Sequence, residues 1–362
     1  MKVGTGHLTY CTNIHPGESW AEVRDTLTTH VVGVKQRVSP DAPFGVGLRL
    51  SHRAASELDV GELRDLLAKH ELYVFTINGF PYGAFHGKPV KSDVYRPDWL
   101  EPERMAYTMK LADILAAVLP DDVRGSISTV PGCFAERAPD HSAVVRIADN
   151  VRRVGEYLEE LDDRTGKHIM LALEPEPSCL LETLRQTVRF FDEYIDEREY
   201  LGVCLDACHA AVAFEDLRPA LEQLRASVIP IAKLQLSCGL RVSPVDAAAR
   251  EELATFADAT YLHQVNSRYL GYVDLPDALA DLGPAEEWRI HYHVPIFREA
   301  LGRFHSTQPF LADLLAEHKR EPISQHLEVE TYTWSVLPEE FRAEPIVDAI
   351  ARELEWVKER IA

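Results

Sequence analysis

The sequence predicts a single (β/α)8 TIM barrel, and three observations support this fold class. Apolar runs and amphipathic stretches alternate through most of the 362 residues, as in a parallel sheet with helices outside. The apolar run at residues 169–173 is typical of a strand buried on both faces. It ends at Glu174, and three later runs also end in polar side chains, at the strand end where such barrels carry their chemistry.

The eight strands follow in chain order, each before a stretch of helical periodicity. Pro175 and Pro177 end the fifth strand because proline cannot donate to a sheet ladder. The predicted strands are residues 6–14, 44–50, 72–77, 125–130, 168–173, 200–209, 231–237 and 326–332.

The sequence contains one more strand-like apolar run than the eight strands that a barrel needs. Residues 288–296 (WRIHYHVPI) also resemble a strand, but residues 326–334 directly precede the closing helix at 339–360 and are preferred as the eighth. Residues 239–322 are therefore predicted as an insertion region, with a β-hairpin at 261–273. The whole chain, 1–362, is predicted as one domain.

The segment 78–100 shows little periodicity and carries five aromatic residues. Loops of this length in a compact domain are usually functional or disordered, and this aromatic content disfavours disorder. It is predicted to form a lid over the barrel mouth.

Composition excludes several classes of function. A net charge of −20 disfavours nucleic acid and anionic membranes as partners. No apolar run approaches the roughly 20 residues of a membrane helix, and the start of the sequence has no signal core, so a cytoplasmic protein is expected. The six cysteines form no C-x-x-C pair and are expected to be reduced, with Cys208 a minor candidate for metal binding.

Glu174, Asp206, Gln235 and either Glu328 or Glu330 are expected to meet at the mouth. Clustered carboxylates raise one another's pKa values, and burying an unpaired one costs several kcal/mol. One divalent cation (Mn, Mg, Co or Zn) resolves that conflict. The competing interpretation is that each acid caps a helix or pairs with a lysine.

Several histidines lie near the same mouth. In the D-x-x-H pattern of Asp206, His209 can bind substrate or a second metal, or carry a proton. His291 and His293 share a strand face, with His293 or Gln235 completing the metal shell. For these two and for His263, a satisfied polar residue is an equally good interpretation.

Polar groups that follow the first three strands suit a polyol or a phosphorylated polyol. For the lysines, a solvated positive edge is the competing interpretation. The candidates for substrate binding are Asn13, His15, Arg49, Asn78, His86 and Lys91, with Glu328 and His263 from later in the chain.

Glu174, Asp206-x-x-His209 and Glu330 resemble the xylose isomerase-like TIM barrel superfamily. That resemblance implies a divalent metal on Glu, Asp, His and Glu of the last four strands. Gln235 stands where the family has histidine, and Arg241 matches the spacing of a substrate-binding arginine in the epimerase branch.

Five segments also resemble the EboE family of metabolite traffic proteins, which implies a secondary-metabolite pathway but no particular reaction. They are residues 8–20, 78–91, 261–265, 291–295 and 326–334.

The expected function is metal-dependent isomerisation or epimerisation of a sugar, cyclitol or related polyol, with a homodimer as the candidate assembly. Glu174 and Glu330 would be ligands and proton carriers, and His209 a catalytic residue. The alternatives are a two-metal hydrolase that uses His209, His263 and His293, and a non-catalytic metabolite carrier.

Overall fold

In the computed structural model, which describes residues 1–362, eight parallel strands stand side by side around a barrel. They are β1 (Gly6–Tyr10), β2 (Phe44–Arg49), β3 (Leu72–Asn78), β4 (Gly125–Thr129), β5 (Ile169–Leu173), β6 (Leu201–Asp206), β7 (Ile231–Leu236) and β8 (His326–Val329). The sheet runs from β2 in order to β8 and then β1, and a parallel bridge between Cys11 and Gly47 joins β1 to β2. The predicted fold class is confirmed.

Helices cover the outside of the barrel after each strand. None of them is long and apolar enough to cross a membrane. The helices are Trp20–Thr26 continuing through a π turn into Val32–Val38, His52–Glu57, Val60–Lys69, Pro102–Val118, His141–Thr165, Leu184–Tyr194, Ala207–Val212, Leu217–Ala226, Ala247–Leu253, Leu275–Ala280, Gln308–Arg320 and Ile346–Ile361.

The barrel interior carries a buried ion pair below the mouth. Lys233 Nζ on β7 lies 2.7 Å from Glu328 Oε1 on β8, and both side chains are 0% exposed. Glycine is required at position 47 of β2, because a Cβ there would lie 1.9 Å from Glu328 Oε2. Glu328 thus belongs to the interior of the barrel, and its charge is balanced there.

The insertion between β7 and β8 forms a second, antiparallel sheet. The predicted hairpin is present as Val265–Asn266 paired with Gly271–Tyr272. Only Trp288–Ile290 of the run at 288–296 is a strand, and it belongs to this second sheet, so residues 326–329 are the eighth barrel strand as predicted. The remaining strands of the second sheet are Leu240–Val242, Ala300–Leu301 and Phe304–Ser306.

The segment 78–100 lies over the mouth and contacts the insertion. Its Phe85 and Val90 side chains pack in a small apolar cluster with Tyr261 and Tyr332. Lys91 Nζ lies 2.7 Å from Asp274 Oδ2, and the Lys91 backbone N–H donates to the Thr260 carbonyl. The segment therefore contacts the insertion through polar as well as apolar groups.

The buried ion pair predicts an asymmetry in stability. Lys233→Met leaves the Glu328 carboxylate uncompensated in the barrel interior, so we expect it to lower the free energy of unfolding by about 3–5 kcal/mol. Lys233→Met combined with Glu328→Gln should recover part of that loss, as measured by urea unfolding.

The control is Arg218→Met, since Arg218 pairs with Glu317 while its own side chain is 78% exposed. That change should cost about 1 kcal/mol or less. Equal losses in the Lys233 single variant and the double variant would contradict an electrostatic origin.

Candidate metal centre and active-site cavity

Three carboxylates converge at the barrel mouth. Glu174 directly follows β5, Asp206 ends β6 and Glu330 directly follows β8, and one oxygen of each lies within 4.8 Å of the others. All three side chains are buried. Glu174 Oε2 and Asp206 Oδ2 have no hydrogen-bond partner. The carboxyl ends of the strands thus bring together the acids that the sequence predicted.

The surroundings penalise negative charge on these acids. Burial, followed by repulsion from Glu330 and Asp206, holds the pKa of Glu174 well above its usual range. Burial and the charge of Asp206 raise the pKa of Glu330 to about 8. Burial also raises the pKa of Asp206. A divalent cation among the three would remove both the repulsion and the unpaired oxygens, so the donor set fits a metal.

Two amides orient one of the acids. Asn13 Nδ2 and Asn78 Nδ2 donate to Glu330 Oε1 over 2.6 and 3.0 Å. Asn13 follows β1 and Asn78 ends β3, so residues predicted to bind substrate here hold a carboxylate at the mouth. The second oxygen of Glu330 remains available to a cation.

Gln235 and His293 both lie beside Asp206, and both remain candidates to complete the metal shell. Gln235 is fully buried on β7, in register with Asp206 on β6, and both its Oε1 and its Nε2 lack a partner. An unpartnered buried amide costs several kcal/mol, and coordination through Oε1 would offset part of that cost. A ring nitrogen of His293 lies within 4.8 Å of an Asp206 oxygen, and its Nε2 lies 3.2 Å from His291 Nε2.

A histidine cluster stands beside the carboxylates. His209, His291 and His293 are buried, with Nε2 of His291 3.1 Å from that of His209. Burial lowers the pKa of each imidazole to about 3, so all three are neutral near pH 7. The sequence analysis placed His209 at this mouth and grouped it with His263 and His293 in a possible second metal site. In the structure the histidine beside His209 is His291 rather than His263.

Glu176 is a functional candidate that the sequence analysis missed. Its Oε1 accepts a hydrogen bond from Tyr95 Oη over 2.6 Å, and it lies within 4.8 Å of ligand atoms of His209 and His291. Burial raises its pKa. The signal was available, because residues two apart in an extended segment project to the same side, and Glu176 is two residues after Glu174.

These groups line a narrow cavity of about 50 Å³ between the metal centre and the 78–100 segment, smaller than the roughly 300–1,000 Å³ of most small-molecule sites. The lining combines aromatic side chains with carboxylates, amides and imidazoles. No lysine or arginine is among the lining residues, which are Asn13, Asn78, Phe80, Pro81, Phe85, Val90, Val94, Tyr95, Glu174, Glu176, His209, Tyr261, Leu262, His291, Glu330 and Tyr332.

The cationic side chains that were predicted to bind substrate pair with carboxylates outside the cavity. Arg49 Nη1 lies 3.0 Å from Glu18 Oε1, and Lys91 pairs with Asp274. Arg241 Nη2 lies 2.8 Å from Glu287 Oε2 in the second sheet. Each of these three side chains pairs with a carboxylate, and none of the three lines the cavity.

The remaining candidates also lie outside the cavity wall. His15 stacks on His30 with ring centroids 4.2 Å apart. His263 donates or accepts at both ring nitrogens, to the His291 carbonyl and to Asp258. His86 borders the site, since its ring contacts the Asn13 carbonyl and the Tyr261 hydroxyl. Glu328 is held by Lys233 below the mouth.

Comparison with known proteins agrees with this geometry at the level of fold. A family profile described as "Xylose isomerase-like TIM barrel" matches residues 42–360. A search of curated proteins finds no match.

Solved structures align over nearly the full chain at identities too low to show more than the fold. D-allulose 3-epimerase from Methylomonas sp. in complex with D-allulose has 12% identity and a TM-score of 0.54, covering 99% of both chains. A xylose isomerase-like TIM barrel protein from Mycobacterium smegmatis in complex with magnesium has 11% identity and a TM-score of 0.58, covering 100% and 98%. The 3-keto-D-glucoside 4-epimerase YcjR from E. coli has 14% identity and a TM-score of 0.51, covering 98% and 99%.

The raised pKa of Glu330 predicts how the stability of the metal-free protein depends on pH. The folded-state pKa of about 8 exceeds the ordinary value of 4.5, so the folded state favours the protonated carboxyl. The contribution of Glu330 to the stability of the folded state is then fully present below pH about 4.5. It is lost as the pH rises through about 8, a loss on the order of a few kcal/mol. Urea unfolding of chelator-treated protein at a series of pH values measures this slope.

Glu330→Gln should flatten that slope because it removes the titrating group, and saturating divalent metal should flatten it in the wild type. A chelator-treated wild type whose pH dependence matches that of Glu330→Gln would contradict the prediction.

Proposed function

The chain belongs to the xylose isomerase-like TIM barrel family, and on that basis we propose that it is a divalent-metal-dependent isomerase or epimerase of a sugar, cyclitol or related polyol. One observation carries the proposal. Glu174, Asp206 and Glu330 converge, buried, beside a narrow cavity at the barrel mouth that Glu174 and Glu330 line. Mg or Mn suits this oxygen-rich donor set, with Co and Zn as alternatives.

A bound divalent cation would polarise a substrate carbonyl and lower the cost of forming an enediolate. Glu174, Asp206 and Glu330 would hold it, with Gln235 Oε1 as an additional donor. Glu174 and Glu330 stand on strands three apart around the barrel, which lets them reach a planar intermediate from different sides. A general base must come within about 2.6–3.2 Å of the proton it removes, or act through one water.

Each neighbouring group has a definable part in this chemistry. Asn13 and Asn78 fix the Glu330 carboxyl through Oε1. His209, neutral and lining the cavity, is positioned to move a proton to or from a substrate hydroxyl. The 78–100 segment covers the mouth and excludes water, which strengthens each of these contacts.

The cavity wall favours a neutral substrate. Hydroxyl groups can donate to Glu174, Glu176 and Glu330, and the apolar faces of a ring can pack on Phe85 and Tyr332. A phosphoryl group would meet carboxylates with no lysine or arginine to balance it, so we favour an unphosphorylated polyol. Two structural neighbours support this class, an epimerase solved with D-allulose and an enzyme named 3-keto-D-glucoside 4-epimerase.

The resemblance of five segments to the EboE family supports a place for this activity in a secondary-metabolite pathway. It bears on the origin of the substrate rather than on the chemistry. A product of sugar or cyclitol metabolism with a carbonyl beside a hydroxyl would suit both the pathway and the cavity.

A metal-dependent hydrolase is the second candidate, and the histidine cluster favours it. Three neutral imidazoles beside the carboxylates resemble the mixed nitrogen and oxygen donor sets that bind catalytic zinc. Hydrolysis would leave no isotope at carbon, whereas isomerisation or epimerisation exchanges a carbon-bound proton. Proton exchange therefore separates the two candidates.

We expect Glu330→Gln to reduce proton exchange at carbon by about 10²–10⁴-fold, because it removes an acid–base group. Metal-loaded protein is incubated in heavy water with a neutral ketohexose such as D-allulose, and deuterium at the carbon beside the carbonyl is followed by NMR. The control is Glu215→Gln, a carboxyl that accepts from the Leu184 N–H and does not line the cavity. Exchange that survives in both Glu174→Gln and Glu330→Gln, with metal retained, would remove these acids from the proton path.

We also propose that the 78–100 segment opens as a lid. Lys91 Nζ donates to the carbonyls of Asp258 and Tyr261 and pairs with Asp274, so one side chain carries much of the polar docking. Lys91→Met should accelerate amide hydrogen exchange in the segment about five-fold in the free protein, the equivalent of about 1 kcal/mol.

The matched control is Lys88→Met, because Lys88 is exposed in the same segment. It should leave the exchange rates unchanged. Protection at core levels in both variants would make the segment a fixed part of the wall.

A further inference from the structure

The three clustered histidines have fixed tautomers. Each uses Nδ1 as a donor to an oxygen that can only accept. His209 Nδ1 lies 2.9 Å from the Pro175 carbonyl, and His293 Nδ1 lies 2.9 Å from the Glu330 carbonyl. His291 Nδ1 lies 2.8 Å from Gln264 Oε1. A neutral imidazole that carries its proton on Nδ1 has a bare lone pair on Nε2.

Those bare nitrogens face one another. Nε2 of His291 lies 3.1 Å from Nε2 of His209 and 3.2 Å from Nε2 of His293. No ring proton lies between these nitrogens, because each neutral imidazole carries its single N–H on Nδ1. The Tyr332 hydroxyl, 3.3 Å from His291 Nε2, can supply one hydrogen bond to one ring. At least two buried lone pairs remain without a donor, which is unfavourable in a dry interior.

A nearby histidine shows the contrast. His263 is also fully buried, yet its two ring nitrogens contact the His291 carbonyl and the Asp258 carboxylate, and neither faces another imidazole. Burial in this region therefore does not by itself produce facing nitrogens. The arrangement belongs to the three rings whose Nδ1 atoms are anchored.

We propose that His209, His291 and His293 bind a second divalent cation, of the zinc type, through their Nε2 atoms. Imidazole nitrogens are preferred ligands of Zn, Co and Ni, and metal-bound histidines characteristically donate their other N–H to a carbonyl or carboxylate. His209 and His291 line the cavity, so an open coordination position would face bound substrate.

The second cation would adjoin the first. Asp206 belongs to both groups, since its carboxylate lies within 4.8 Å of Glu174 and Glu330 and also of His209 and His293. Asp206 Oδ2 has no hydrogen-bond partner and is free to bridge. Glu176 lies against His209 and His291 as a further oxygen donor. This inference goes beyond the proposed function, which requires only the carboxylate metal. A cation on Nε2 would make His209 a metal ligand in place of the proton carrier proposed above, since its Nδ1 already donates to the Pro175 carbonyl.

Metal stoichiometry tests the inference separately from the proposed function. Chelator-treated wild type is loaded with cobalt or zinc, desalted and analysed for metal per chain, with the visible spectrum of the cobalt form recorded. We expect two metals per chain and an intense absorption typical of tetrahedral cobalt with nitrogen ligands. His209→Asn and His291→Asn keep an N–H near Nδ1 but lack Nε2, and each should lose one metal and that absorption.

Glu330→Gln should instead lose the other metal and keep the absorption, which separates the two sites. His15→Asn is the control, a buried histidine outside the cavity that should retain both metals. A zinc-edge anomalous map of wild type checks the site without relying on variants, with density expected among the three Nε2 atoms. One metal per chain in wild type with no density there, or two metals retained in the histidine variants, would overturn the inference while leaving the carboxylate site to its own test.

Discussion

Three carboxylates forced together in a dry barrel mouth are the constraint on which the rest of the structure depends. Charge on Glu174, Asp206 and Glu330 is opposed by burial and by mutual repulsion. The surroundings supply Asn13 and Asn78 as donors to Glu330. Such an arrangement is costly as bare protein and favourable around a cation, which is why the same residues carry both the proposed metal centre and the proposed proton chemistry.

The cationic side chains near the mouth form ion pairs and hydrogen bonds that hold segments of the fold together. Arg49 holds Glu18 and the carbonyls of Gly17 and Gly83, which ties the start of the first helical region to the 78–100 segment. Lys91 joins that segment to the insertion. The cavity is left with acids, amides, imidazoles and aromatic rings, a lining suited to neutral hydroxylated rings held by metal coordination and hydrogen bonds.

The insertion between β7 and β8 completes the site as well as covering it. It delivers His291 and His293 to the carboxylates and Gln264 to the network of Tyr95 and Glu176. The lid segment, the insertion and the strand ends thus meet in one hydrogen-bonded region. The lid segment contacts Glu176 through Tyr95, and the insertion contacts the Glu330 carbonyl through His293.

The sequence by itself determined the eight strands and the convergence of Glu174, Asp206 and Glu330. Strand burial leaves a local apolar pattern, and parallel strands in a closed barrel end at the same edge. The partners of Arg49, Lys91 and His263 were decided only by the tertiary structure, as was the pairing of His209 with His291 across 82 positions. Those contacts depend on where irregular loops and the insertion fold back, and irregular backbone has no period from which its position can be inferred.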